Sequence, residues 1–164
     1  MTFAPRTWTV GEVVSATLLN TEIRDQFASI LDAWTPYTPV WTGQTTNPVL
    51  NNGTLTGRYL KVGRTCHVQI ELLMGSLTTY GSGGWVLSLP FAASATGNRI
   101  GLAHAFQSAR VQGQLVVAPN ASTGLLFFPA TTSVSFLSLA TATAPVTWAA
   151  GGRIYVSFTY ETAT

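Results

Sequence analysis

Along the chain the spacing of apolar residues changes once, and the change divides the sequence in two. In "SATLLNTEIRDQFASILDAW", residues 15–34, Ile23, Phe27, Ile30 and Trp34 recur at intervals of 4, 3 and 4. That is the a/d rhythm of a coiled-coil seam, held for fewer than two heptads. Ser15 or Thr17 can cap the start, the stretch holds neither Gly nor Pro, and Pro36 stops whatever follows. The spacing therefore predicts a helix over 15–34, preceded by an arm over 1–14. Two placements suit the stripe: against the chain's own β domain, or as a seam between parallel copies in a trimer.

From Thr35 onward the period is two. Strands are predicted at Arg58–Val62, Thr65–Met74, Gly84–Leu89, Arg99–Ala105, Gln112–Val117, Gly124–Phe128, Ser133–Leu139 and Arg153–Tyr160. Turn signals such as "NNGT", "YGSGG", "SATGN", "APNASTG" and "AAGG" separate them, with "GSGG" read as a hairpin tip and "KVGR" as a tight turn centred on Val62 and Gly63. Many short strands at this spacing predict a mainly β head over 35–164, an antiparallel β-sandwich of jelly-roll type. Alternation also assigns faces. Val68, Ile70, Leu72 and Met74 share one side with Cys66, and Ile154, Val156, Phe158 and Tyr160 share one side of the last strand. His67, Gln69 and Glu71 point the other way, so Cys66 and His67 cannot form a thiolate–imidazole pair.

Composition changes the picture in one respect. Hydrophobic residues make up 46% of the 164, an ordinary share, but charged residues only 9%, against about 25% in a typical soluble domain. A surface this poor in charge predicts that much of it is covered by further copies or by a larger assembly. The net charge of +2 conceals a division: Arg6 and Arg24 face Glu12, Glu22, Asp25 and Asp32 before residue 34, whereas the remainder holds six basic residues against Glu71 and Glu161. Six dispersed cations do not make a nucleic-acid stripe. The start lacks the charged and apolar regions of a signal peptide, and no run approaches a membrane span, so the expectation is a protein made in the host cytoplasm with no membrane insertion.

Candidate chemistry is sparse. One cysteine excludes an internal disulfide, and two His, one Cys and no acidic cluster supply too few ligands for a metal. Residues 34–164 contain no Asp, and Glu71 and Glu161 fall on outward faces, where pairing with Arg or Lys suits them better than a glycosidase pair. No G-x-S-x-G occurs. The reading is a non-enzyme with no cofactor, no metal and no catalytic residues. His104, in "IGLAHAFQ", is either a satisfied structural histidine or an imidazole at a subunit axis. Asn52 and Asn120 sit in sequons but read as turn asparagines. Trp41, Tyr80, Trp85 and Trp148 lie in or near predicted loops, and they divide between core packing and candidates for surface recognition of a partner or a host glycan.

Two stretches carry a family resemblance. "GEVVSATLLNTEIRDQFASIL" resembles the N-terminal helix of minor tail and other structural proteins of tailed bacteriophages, especially those infecting actinobacteria. "GRYLKVGRTCHVQIELLMGSLTTYGSGGWVLSLPFAA" and "APVTWAAGGRIYVSFTYETA" resemble the β domain that follows it. The resemblance implies a virion protein: a trimeric fibre, spike or decoration protein with a β head on a short helical stem and no catalytic residues. In "WAAGGRIYV", Gly152 stands where family members often carry Asp, which removes any metal or hydrogen bond that carboxylate would make. The expected partners are two further copies through Ile23, Phe27, Ile30 and Trp34, other tail or capsid proteins gripped by an arm that includes Phe3, Pro5, Trp8 and Val10, and a host-surface glycan. A capsid decoration protein at three-fold positions and a carbohydrate-binding module are the alternatives.

Overall fold

From Thr35 onward the alternating stretches form strands. The computed structural model describes residues 6–31, 33–130 and 133–163. Ten strands follow in order: β1 (Thr35–Tyr37), β2 (Trp41–Gly43), β3 (Thr54–Val62), β4 (Thr65–Leu73), β5 (Trp85–Ser88), β6 (Arg99–Phe106), β7 (Arg110–Val117), β8 (Thr123–Ala130), β9 (Ser133–Leu139) and β10 (Arg153–Glu161). The eight predicted strands all appear, with β3 starting four residues earlier than expected. β1 and β2 were not predicted; each is three residues long in a stretch broken by Pro36 and Pro39, too short to show a period.

All pairings are antiparallel, and the strands form one sheet in the order β1-β3-β4-β10-β6-β7-β8-β5-β2, with β9 also pairing β8. This corrects the predicted jelly-roll sandwich. Alternation reports which face of a strand is buried, and a single sheet curled on itself buries one face just as a sandwich does. Here the ladder is unbroken and curls into a half-barrel. Its two terminal strands, β1 and β2, are consecutive in the chain. The link between Tyr37 and Trp41 can span at most about 14 Å, so the sheet has to bend its ends towards each other. Val40 extends the β2–β5 pairing by two bonds to Ser88, its N–H donating to Ser88 Oγ at 2.8 Å and its carbonyl accepting from Ser88 N at 3.0 Å, and Tyr37 Oη of β1 reaches the Ser88 carbonyl at 3.5 Å.

The inner face is the predicted one. Cys66, Val68, Ile70, Leu72 and Met74 are buried on the same side as Ile154, Val156, Phe158 and Tyr160 across the β4–β10 ladder, with Leu115, Val117, Leu126 and Phe128 completing the core. Gly57 leaves space for the Tyr37 ring and Pro39, which a Cβ at that position would strike. The β3–β4 turn is Gly63–Arg64, one residue later than expected, since Val62 pairs with Thr65; Gly63 takes φ 57° at the first turn position, as a type II′ turn requires. "GSGG" is not a hairpin tip: Ser82 bridges Thr46 by backbone and side chain, so the segment lies along the 44–46 loop.

The predicted helix is present and interrupted. α1 (Ala16–Leu19) is capped by Ser15, whose Oγ accepts from Leu18 N, and leads into a π-helical segment, Asn20–Arg24, and then α2 (Asp25–Leu31). Thr21 Oγ1 donates to the Thr17 carbonyl at 3.1 Å, a back-bond of the kind that bends helices where they widen. Ile23 thus lies inside the wider turn, so the even seam rhythm holds only from Phe27 onward. No helix among the described residues is long and apolar enough to cross a membrane.

Candidate functional site

Three groups of residues bear on function: the helical stem, an aromatic cluster and a groove on the outer face of the sheet. On the stem, the stripe faces solvent. Ile23 is 46%, Phe27 66% and Ile30 53% exposed, and Leu31 beside them is 85% exposed. Of the two placements open to this stripe, packing on the chain's own head is not the one seen. The stem meets the head at its end: α2 comes near β3, and Trp34 is half-buried with the Arg58 guanidinium 5.4 Å from its ring centroid. In the arm, Trp8 and Val10 are exposed, and Arg6 pairs with Glu12. Phe3 and Pro5 lie outside the described residues.

The aromatic candidates for surface recognition turn out to be core. Trp41, Trp85 and Trp148 are buried and Tyr80 is half-buried. Trp85 is the hub: its ring centroid lies 4.8 Å from Trp41, edge-on, 5.4 Å from Trp148, tilted, and 6.3 Å from Tyr80, stacked. Trp85 Nε1 donates to the Tyr80 carbonyl at 3.1 Å and Trp148 Nε1 to the Thr141 carbonyl at 3.0 Å, which is how an indole is accommodated in a core. Their places next to Gly-rich segments suggested loops. In the structure the three indoles are buried in the core cluster and Tyr80 packs against it.

A groove of about 570 Å³ crosses the outward side of β3, β4, β10 and β6. Register explains its composition. Thr56, Glu71, Tyr155 and His104 face one another in one cross-strand row, and Arg58, Gln69, Ser157 and Leu102 in the next. The polar side chains are held by partners. Arg58 Nε donates to Gln69 Oε1 at 2.9 Å; Arg153 Nη1 donates to Glu71 Oε1 at 3.1 Å and to Tyr155 Oη at 3.3 Å. The Tyr155 contact is the chief reason the Arg153 guanidinium holds its proton above the ordinary range. His104 lies against Tyr155, centroids 6.1 Å apart. The outward positions of β4 and β10 were legible as polar from alternation; that four strands would line them up was not, because β10 joins β4 to β6 only in three dimensions.

The remaining candidates separate. Cys66 is fully buried, and burial pushes its thiol up to about 11, with the Tyr160 hydrogen bond and the Lys61 charge opposing. His67 is on the other face, its Nδ1 3.0 Å from Thr159 Oγ1. Glu71 pairs with Arg153, and Glu161 with Arg64 and Arg99. Among the described residues no three His, Cys, Asp or Glu side chains gather as a metal-binding group.

Compared with known proteins, the chain is 32% identical over 129 residues to a Mu-like prophage FluMu defective tail fiber protein of Haemophilus influenzae. The alignment takes in 76% of this chain and 20% of that protein, so the chain spans about a fifth of the relative's length. No family model matches the chain, and no solved structure matches it.

Proposed function

We propose that this chain is a non-enzymatic structural component of a phage virion, of tail-fibre type, assembled as a homotrimer and displayed for host-surface attachment. The likeness to a prophage tail fiber protein supports the phage structural role. The observation that carries the trimer is the stem. It projects Phe27 and Ile30 into solvent at spacings suited to a parallel seam, while the head to which it is joined leaves them uncovered. One chain alone does not hold so short a helix; three chains burying the stripe on a common axis do.

In this reading residues 1–14 form an arm that grips a neighbouring virion protein, with the exposed Trp8 and Val10 as contacts beside Phe3 and Pro5. Ile23, Phe27, Ile30 and Trp34 line the axis, and residues 35–164 form the head. The resemblance of "GEVVSATLLNTEIRDQFASIL" to tail proteins of phages of actinobacteria favours attachment to a tail over a capsid decoration role. Sedimentation equilibrium at micromolar concentration tests the assembly. A species of three chains supports it, and a stable monomer overturns it.

A further inference from the structure

We propose that the outward groove over β3, β4, β10 and β6 binds a short oligosaccharide through Arg58, Gln69, Glu71 and Tyr155. The inference rests on the attachment reading only in that a host surface supplies the ligand. The head has ten Lys, Arg, His and Glu side chains over residues 34–164, and four of them, Arg58, Glu71, His104 and Arg153, stand within two adjoining cross-strand rows and their margin. Protection of a sheet edge does not account for them, because all four strands are interior.

The geometry selects the class of ligand. A peptide added as a strand needs free backbone N–H and C=O groups, and β4 and β10, the central strands of the groove, are paired on both sides where they line it. A phosphate polymer needs clustered cations, whereas Glu71 stands between the two arginines' rows and is paired to one of them. A small apolar molecule needs enclosing walls, and this groove is open to solvent along its length. Polyhydroxylated ligands match what is left. Each sugar hydroxyl both donates and accepts. Glu71 accepts, Arg58 donates, Gln69 does either, and the Thr56, Ser157 and Tyr155 hydroxyls do both. The Tyr155 ring, backed by His104, offers a face for the C–H side of a pyranose. Bonds to Arg58 and Arg153 hold Gln69, Glu71 and Tyr155 in place beforehand, which lowers the entropy lost on binding. Four strands at sheet spacing make the trench about 14 Å across, room for a short oligosaccharide rather than a single ring.

The test uses the full assembled chain on an array of neutral and uronic-acid-containing oligosaccharides, followed by calorimetric titration of the strongest binder. Tyr155→Ala and Gln69→Ala are each expected to weaken binding at least about tenfold, with an unchanged sedimentation coefficient. Chemical nitration of the Tyr155 ring in the unmodified chain gives an independent readout, with saccharide expected to slow it. Failure of every oligosaccharide to bind, unchanged affinity in both variants, or a Tyr155 ring shielded from nitration in the assembled protein without ligand overturns the proposal, the last by making the face a subunit contact. A trimer that binds no saccharide loses this inference alone, and a monomer that binds one loses the assembly reading alone.

Discussion

Trp85 meets Trp41 edge-on, with centroids 4.8 Å apart and ring planes at 86°, yet only one of the two indoles has its N–H satisfied. Trp85 donates to the Tyr80 carbonyl, whereas Trp41 Nε1 is buried without a hydrogen-bond partner among the described residues. The two therefore respond differently to substitution. Trp85→Ala removes the hub of the cluster and is expected to cost about 3–5 kcal/mol. Trp41→Phe keeps a ring and deletes an unpaired donor, so its cost is expected to stay below about 1.5 kcal/mol. Urea unfolding followed by far-UV circular dichroism measures both. Equal losses would mean the indoles are not in these two environments.

Stem and head are predicted to separate under mutation. Phe27→Asp with Ile30→Asp places charge on the proposed axis without touching the head, so sedimentation should shift from three chains to one while the far-UV β signal persists. Unchanged assembly in the double variant would show that the heads alone hold the copies together.

Alkaline pH is predicted to destabilise the fold through its core. Burial pushes the Cys66 thiol from an ordinary value of 9.0 up to about 11. Burial also raises Tyr160 and Tyr37, with the nearby Cys66 charge adding to both. A folded-state value above the unfolded one means that the stability this group contributes is fully present below pH 9.0 and is lost as pH rises through about 11. Urea midpoints should fall across that window, and more shallowly in Cys66→Ala. A midpoint flat from pH 9.0 to about 11 would contradict the burial of these groups.

Gly57 offers a sharper packing test at the sheet's end. A Cβ there would strike the Tyr37 ring and Pro39, so Gly57→Ala is expected to cost about 1–3 kcal/mol and to loosen β1. Faster proteolysis within 34–40 of the variant is the accompanying sign; unaltered stability and cleavage would show that β1 has room to shift.

Much of the head was legible because alternation is a local property. β4 and β10 have the faces that Val68–Met74 and Ile154–Tyr160 announce, and Cys66 and His67 fall on opposite sides as their adjacency requires. What was not legible is set by closure of the sheet. The curl buries Trp41, Trp85 and Trp148, which glycine-rich neighbours had marked as loop residues, and it joins β1 to β2 across a three-residue link that carries no period. The stem's apolar stripe could be read, but not the π-helical turn inside it, where Thr21 bonds back to Thr17. The groove was half legible: Gln69 and Glu71 were outward by period, while their alignment with Tyr155 and His104 follows from β10 lying between β4 and β6.

The most direct test of the virion role is an electron cryomicroscopy map of the intact phage particle that encodes this chain. The account predicts three copies about a local three-fold axis, stems together, Phe27 and Ile30 on the axis, and the arm in contact with a neighbouring virion protein. Particles in which this chain is missing, or in which single copies stand with the stripe uncovered, would contradict it.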